Sequence, residues 1–156
     1  MAKKTATIHA VIDNRRSRYD YTLHDTYDTG VILTGPEVKA VRSGQVSLKG
    51  SYVTLKDGEL WLINASFSVI HTQPGEMTRT IETTPRKLLA KKKEIAELQT
   101  AKDTGLTIVP LSMTTRTRFI KVKIATAKGK KQYDKRETIK RRDLDREHGR
   151  AIASGK

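Results

Sequence analysis

Ser51-Tyr-Val-Thr-Leu-Lys-Asp-Gly-Glu-Leu-Trp-Leu-Ile-Asn64 carries the strongest local structural signal in this chain. Two runs of strand-forming residues flank Asp57-Gly58, a dipeptide that tolerates positive φ at the centre of a tight hairpin turn. Outward from this hairpin the pattern stays β. Ala65 to His71 continues as a strand, and Leu106 to Leu111 follows with Pro110 marking an edge or a bulge. Arg118 to Ala125 alternates, with Ile120, Val122 and Ile124 on one face and Lys121 and Lys123 on the other. Upstream, Tyr19 to Leu23 reads as a first strand and Gly30 to Thr34 as a short apolar one. Lys3 to Arg18 reads as an irregular basic arm, and the polar stretch 72–84 as a loop.

Two helices interrupt the strands. Gly35-Pro-Glu-Val-Lys-Ala-Val-Arg-Ser-Gly44 opens with Pro36 and closes with Gly44. Val38 and Val41 face inward there, leaving Glu37, Lys39 and Arg42 toward solvent. A second helix starts at Thr84-Pro85 and runs to about Lys102, with Gly105 beyond its end. Leu88, Ile95 and Leu98 share one of its faces, and Lys91, Lys92 and Lys93 crowd its first half. About six short antiparallel strands with two or three short inserted helices favour a small closed, OB-like β-barrel, which leaves few exposed edges.

The chain has 156 residues, no cysteine, and 31 Lys+Arg against 17 Asp+Glu, a net charge of +14. The absence of cysteine excludes disulfide frameworks and thiol chemistry and suits a reducing compartment. No apolar run reaches spanning length, and Met1 to Asp13 lacks a signal-peptide core, so a cytoplasmic protein is expected. The charge is uneven. Residues 128–156 hold eleven cations against five carboxylates, and their large apolar residues are Tyr133, Ile139, Leu144 and Ile152. That is too little apolar surface to offset the entropy of ordering the segment alone. The expected organisation is a folded body over 1–127 and a basic C-terminal tail over 128–156 that is disordered when free.

No catalytic constellation assembles. The four histidines, His9, His24, His71 and His148, lack ligand spacing, and His24 with Asp25 and Asp28 reads as a solvated strand end. Asp143, Asp145 and Glu147 are interleaved with Arg141, Arg142 and Arg146, as ion pairs along a helix would be. Neither a metal site, nor a cofactor, nor an enzyme activity is expected. A polyanion partner is. Lys121 and Lys123 share an exposed strand face, while Tyr19 and Tyr21 either stack on bases or pack in the core. Arg142, Arg146 and Arg150 form one stripe if the tail becomes helical.

Several long motifs resemble one known family. Gly30-Val-Ile-Leu-Thr-Gly-Pro-Glu-Val-Lys-Ala-Val-Arg-Ser-Gly44, Trp61-Leu-Ile-Asn64, Arg86-Lys-Leu-Leu89 and Ala127-Lys-Gly-Lys-Lys-Gln-Tyr-Asp-Lys-Arg136 closely resemble the SsrA-binding protein (SmpB) family, over roughly Asn14 to Arg150. The resemblance implies a bacterial trans-translation factor without bond chemistry of its own. Its OB-like barrel would bind the tRNA-like domain of tmRNA, with EF-Tu and alanyl-tRNA synthetase as indirect partners. Its tail would enter the decoding site and empty mRNA channel of a stalled ribosome and fold there into a helix. By position, tmRNA contact falls on Asn14, Tyr21, Asp28, Leu89 and Lys121, with Lys123 beside it. Ribosome contact falls on Gly129, Lys130, Lys131, Tyr133, Asp134, Lys135, Arg136 and Ile152. Asp28 stands where Glu is commoner, Gly50 where an acid is usual, and Ala90 where a third Leu is typical. The alternatives from the residues alone are a ribosomal or assembly protein with an rRNA-penetrating tail, and an enzyme acting on RNA.

Overall fold

The computed structural model describes residues 10–115 and 118–155; Lys3, Lys4 and His9 lie outside the described residues. In chain order the first elements are β1 (Val11–Asp13), α1 (Arg15–Asp20), β2 (Tyr21–Val31), α2 (Gly35–Arg42) and β3 (Val46–Ser47). Then come β4 (Tyr52–Lys56), β5 (Glu59–Ile63), β6 (Ser66–Gln73), β7 (Glu76–Glu82) and β8 (Arg86–Leu89). The chain ends in α3 (Lys92–Asp103), β9 (Thr107–Thr114), β10 (Lys121–Gly129) and α4 (Gln132–Ser154).

The expected hairpin forms as β4 and β5, with Lys56 opposite Glu59 and positive φ at Asp57 (52°) and Gly58 (72°). Its alternate residues Val53, Leu55, Leu60 and Leu62 point inward. The large sheet runs β1-β9-β10-β2-β8-β5-β4, and β4 also pairs with β9. That last pairing closes a ring of six antiparallel strands, the expected OB-like barrel with inserted helices. Leu60, Leu62, Phe67, Leu98, Met113, Val122 and Ile124 fill its core. Leu98 brings α3 onto this core, and Val41 brings α2. A smaller sheet, β3-β6-β7, stands beside the barrel.

Four local expectations change, and one open alternative, at Pro110, is resolved. The basic arm is ordered from Val11, as a short strand paired with β9 and the helix α1. Tyr19 therefore sits on a helix and shares no strand face with Tyr21. The two short strands expected at 19–23 and 30–34 are one eleven-residue strand, β2. Its polar middle hides a β-bulge: His24 and Asp25 together oppose Thr126, whose hydroxyl accepts a hydrogen bond from the Asp25 amide at 3.1 Å. The expected loop at 72–84 is largely the β6–β7 hairpin, turned at Pro74-Gly75 with Gly75 at φ 87°. Most of its side chains are exposed on both faces, so it shows no hydrophobic alternation. Pro110 marks a bulge, not an edge, because β9 skips a residue between Ser112 and Pro110 in its pairing with β10.

The largest change concerns residues 84–91. They form the strand β8 and a cap, and the helix begins only at Lys92. The cause is tertiary. Arg86 is buried, and its guanidinium meets the Glu37 carboxylate at 2.8 Å, donates to the Ala65 and Thr84 carbonyls, and lies 3.8 Å over the Phe67 ring centre. Glu37 is accordingly buried instead of solvent-facing. Its second oxygen accepts from the Thr34 amide at 2.9 Å and caps α2.

Residues 132–154 form the 23-residue helix α4, none of whose side chains is buried. Truncating one partner of the Arg86–Glu37 pair leaves a buried charge unmatched, so Glu37→Ala should cost about 3–5 kcal/mol. Urea unfolding checks this: the midpoint should fall for the single variant, and fall less for Glu37→Met combined with Arg86→Leu.

Candidate nucleic-acid interface

Register places the body residues of interest. Across three adjacent strands, Leu89 of β8 pairs with Gly30 of β2, and Gly30 pairs with Lys121 of β10. Asp28, two residues back along β2, pairs with Lys123. Cross-strand partners share a sheet face, so Leu89, Asp28, Lys121 and Lys123 lie together on the outside of the barrel. Leu89 is half exposed, and Gly30 lacks the side chain that would crowd it: a Cβ there would stand 3.4 Å from the Leu89 Cβ.

All of these but Lys123 line a groove of about 620 Å³, together with Val31, Ala90, Lys91, Glu94, Phe119 and Ile120. Val31, Leu89, Ala90, Phe119 and Ile120 make much of its lining apolar, and Lys91 and Lys121 are its two cationic residues. Glu94 is partly occupied at the helix end, where one carboxylate oxygen accepts from the Lys91 amide at 3.0 Å. Sequence reasoning missed Lys91 as part of this wall because it placed the lysine inside a helix. It missed Phe119 too, although the alternation that turns Lys121 and Lys123 outward extends to position 119.

Tyr21 lies on the same outer face, about 20 Å down β2 from Asp28. The bulge at His24 and Asp25 makes this possible, since it flips the side-chain parity between the two halves of the strand. Tyr21 and Leu23 pack on a small outer cluster of Val109, Leu111, Ala125 and Ala127. The alternative of packing therefore holds in part for Tyr21, which is half-buried. Asn14 is 5 % exposed, and its side-chain amide donates to the Pro110 carbonyl at 2.9 Å. It locks the corner between β1 and α1 at the bulge of β9. Asn14 and Tyr21 line a second, smaller cavity of about 200 Å³ with Arg16, Asp20, Tyr52 and Val109. The six body positions thus divide into an open groove and a mostly packed corner.

The tail begins at that corner. Gly129 pairs with Tyr21, and the Lys130 amide donates to the Asp20 carbonyl at 2.9 Å. Lys131 is the residue before the first turn of α4, and Tyr133, Asp134, Lys135 and Arg136 occupy its first two turns. Lys135 pairs with the Asp20 carboxylate at 3.3 Å, and the Arg142 guanidinium lies 5.9 Å from the Tyr19 ring centre. Helix α1 therefore carries the first three turns of the tail. Tyr133 donates to Glu137 at 3.0 Å; that bond, with the carboxylate's charge, raises its phenol pKa above the ordinary value. Ile152 is 80 % exposed in the last turn, about 32 Å from Lys131 along the helix.

His24 and Asp25 belong to the bulge of β2, and among the described residues no group of three or more His, Cys, Asp or Glu could hold a metal ion. No helix among them is long and apolar enough to cross a membrane.

A family model described as SmpB protein matches residues 11–154. The chain is 44% identical over 150 residues to the SsrA-binding protein of Streptococcus thermophilus, covering 94% of each chain. It is 42% identical to those of Streptococcus suis, over 97% of this chain and 96% of the relative, and of Ligilactobacillus salivarius, over 97% of each. Among solved structures it matches a chain from the study "tmRNA-SmpB: a journey to the center of the bacterial ribosome" with a TM-score of 0.63 and 36% identity, over 83% of this chain and 94% of that one. With a family match spanning barrel and tail alike, the chain belongs to the SmpB protein family.

Proposed function

We propose that this chain is a cytoplasmic RNA-binding factor of trans-translation. The outer face of its barrel binds the tRNA-like domain of tmRNA, and the factor supports delivery of that RNA to stalled ribosomes. The segment that forms α4 then enters the decoding site and the empty mRNA channel. EF-Tu and alanyl-tRNA synthetase act with it indirectly, through the RNA, and the factor itself makes and breaks no bonds. The observation that carries this reading is the convergence of Asp28, Leu89 and Lys121 on three neighbouring strands around one groove.

Physical chemistry assigns the roles. Lys121 and Lys123 attract phosphates. Leu89 packs against a base or ribose. Asp28 is an acceptor and serves base edges or 2′-hydroxyls, the groups that distinguish RNA. Asn14 contributes by holding the β1–α1 corner beside Tyr21, since its amide is already committed to Pro110. In the tail, Gly129, Lys130, Lys131, Asp134, Lys135 and Arg136 form the decoding-site segment, Tyr133 stacks on rRNA, and Ile152 makes a distal apolar contact.

A 23-residue helix with no buried side chain has little tertiary support, and isolated helices are marginal in water. The free tail therefore exchanges between helix and coil and becomes fully ordered on the ribosome. Amide hydrogen exchange checks this: residues 140–154 should exchange rapidly in the free protein and become protected in ribosome complexes.

Two variants separate the halves of the molecule. Lys121→Ala should weaken binding to a tRNA-like-domain transcript, and the log–log salt slope should flatten by about 0.7–0.9, the share of one phosphate contact. Filter binding over a salt series reads it. Replacing Asp134, Lys135 and Arg136 together by Ala should leave tmRNA affinity within about twofold and abolish peptide tagging on stalled ribosomes in a reconstituted translation system. Equal loss of both activities would defeat the two-part reading.

A further inference from the structure

We infer that the free edge of β7 is a docking site for an extended protein segment. That segment adds a fourth strand to the β3-β6-β7 sheet and places an acidic side chain between two apolar ones. The site lies off the barrel, and the inference is independent of the RNA-binding reading.

β7 ends the small sheet, and its residues from Glu76 to Ile81 are all exposed. A strand in that position offers a row of unpaired amides and carbonyls, which proteins ordinarily cover or blunt. The two-residue turn at Pro74-Gly75 fixes which ones. Gln73 and Glu76 close the hairpin as a hydrogen-bonded pair, so bonded pairs recur at every second position along β7. The backbone groups of Met77, Arg79 and Ile81 fall between those pairs and point away from β6. Their side chains share one face with Ser68, Ile70 and Thr72 of β6. On that face Met77 is 73 % exposed, Ile81 69 % and Ile70 42 %, so three apolar side chains stand open together. The face runs on to a cleft of about 240 Å³ beside α2, where Lys39 is the one charged residue among the described lining. Arg79 has no side-chain partner among the described residues. The charges on this face are therefore positive, while Glu76 and Glu82 lie on the other.

This pattern selects the occupant. A segment paired with β7 sets alternate side chains against Met77, Arg79 and Ile81, so an apolar, an acidic and an apolar residue are complementary. A second copy of β7 is not. The register that sets Met77 against Ile81 also sets Arg79 against Arg79 and Glu76 against Glu82, and like charges directly opposite are destabilising. RNA would engage the cations alone and leave the backbone edge and the aliphatic side chains uncovered.

The experiment titrates the isotope-labelled full-length protein with the peptide KVTETVK and follows the backbone amides by NMR. The palindromic peptide suits either strand direction. Saturable shifts should centre on residues 76–82, and the same peptide N-methylated at both valines should cause none. Arg79→Glu should weaken KVTETVK about fivefold or more, the loss expected when a cross-strand ion pair becomes a repulsion, and should favour KVTKTVK by a similar factor. The N-methylated control needs no variant, so the test stands even where Arg79→Glu fails to fold. The absence of a saturable shift at millimolar peptide, or shifts centred elsewhere, would overturn the inference. So would an Arg79→Glu loss of binding to a tRNA-like-domain transcript as large as the peptide loss, which assigns the face to RNA. Self-association through residues 76–82 without peptide would overturn it too, by assigning the edge to a second copy.

Discussion

The guanidinium of Arg86 sits where three parts of the molecule meet, and each part depends on the charge being matched there. Its partner Glu37 uses one oxygen for Arg86 and the other to cap α2. Its remaining donors reach the Ala65, Thr84 and Glu82 carbonyls, at the junctions of β5 with β6 and of β7 with β8. Phe67 closes the site from the face of its ring. A buried ion pair is not stabilising in itself, because desolvation offsets much of the attraction. What it does here is tie α2, the β3-β6-β7 sheet and β8 to one charged group, whose donors are matched by acceptors from all three. Among the described residues no buried side-chain polar atom lacks a hydrogen-bond partner.

This constraint extends to the outer surface. Because Arg86 turns inward, residues 86–89 are held as a strand, with Leu88 in the core and Leu89 outside. Leu89 then falls beside Gly30, whose missing side chain leaves the groove open. A helix over the same residues would have carried Leu89 away from Asp28 and Lys121. The bulge at His24 and Asp25 does comparable work at the other end of β2. By flipping parity it turns Tyr21 and Leu23 to the same outer face, where they pack on Val109, Leu111, Ala125 and Ala127.

Through α1 the body also sets the direction in which the tail departs. Asp20 receives the Lys130 amide on its carbonyl and Lys135 on its carboxylate, while Arg142 lies over Tyr19. These contacts are partly exposed, and each is weak alone. Together they hold the first turns of α4 and leave the rest of the helix in solvent. A basic segment carried this way stays available to a polyanion.

The sequence by itself determined the features that depend on near neighbours. Asp57-Gly58 imposes a two-residue turn, Pro36 starts α2, and the alternation of Val122 and Ile124 with Lys121 and Lys123 sets one face inward and one outward. The long motifs from Gly30 to Gly44 and from Ala127 to Arg136 carry the family resemblance in residue order alone. Tertiary structure alone decided the state of Arg86 to Leu89, the burial of Glu37, the union of two short strands into β2, and the assembly of the groove from β2, β8, α3 and β10. The physical reason is common to all four. An ion pair 49 positions apart, a hydroxyl filling a bulge from 101 positions away, and a register across three strands are contacts between distant residues. Local propensity carries no record of them until the chain has closed its barrel.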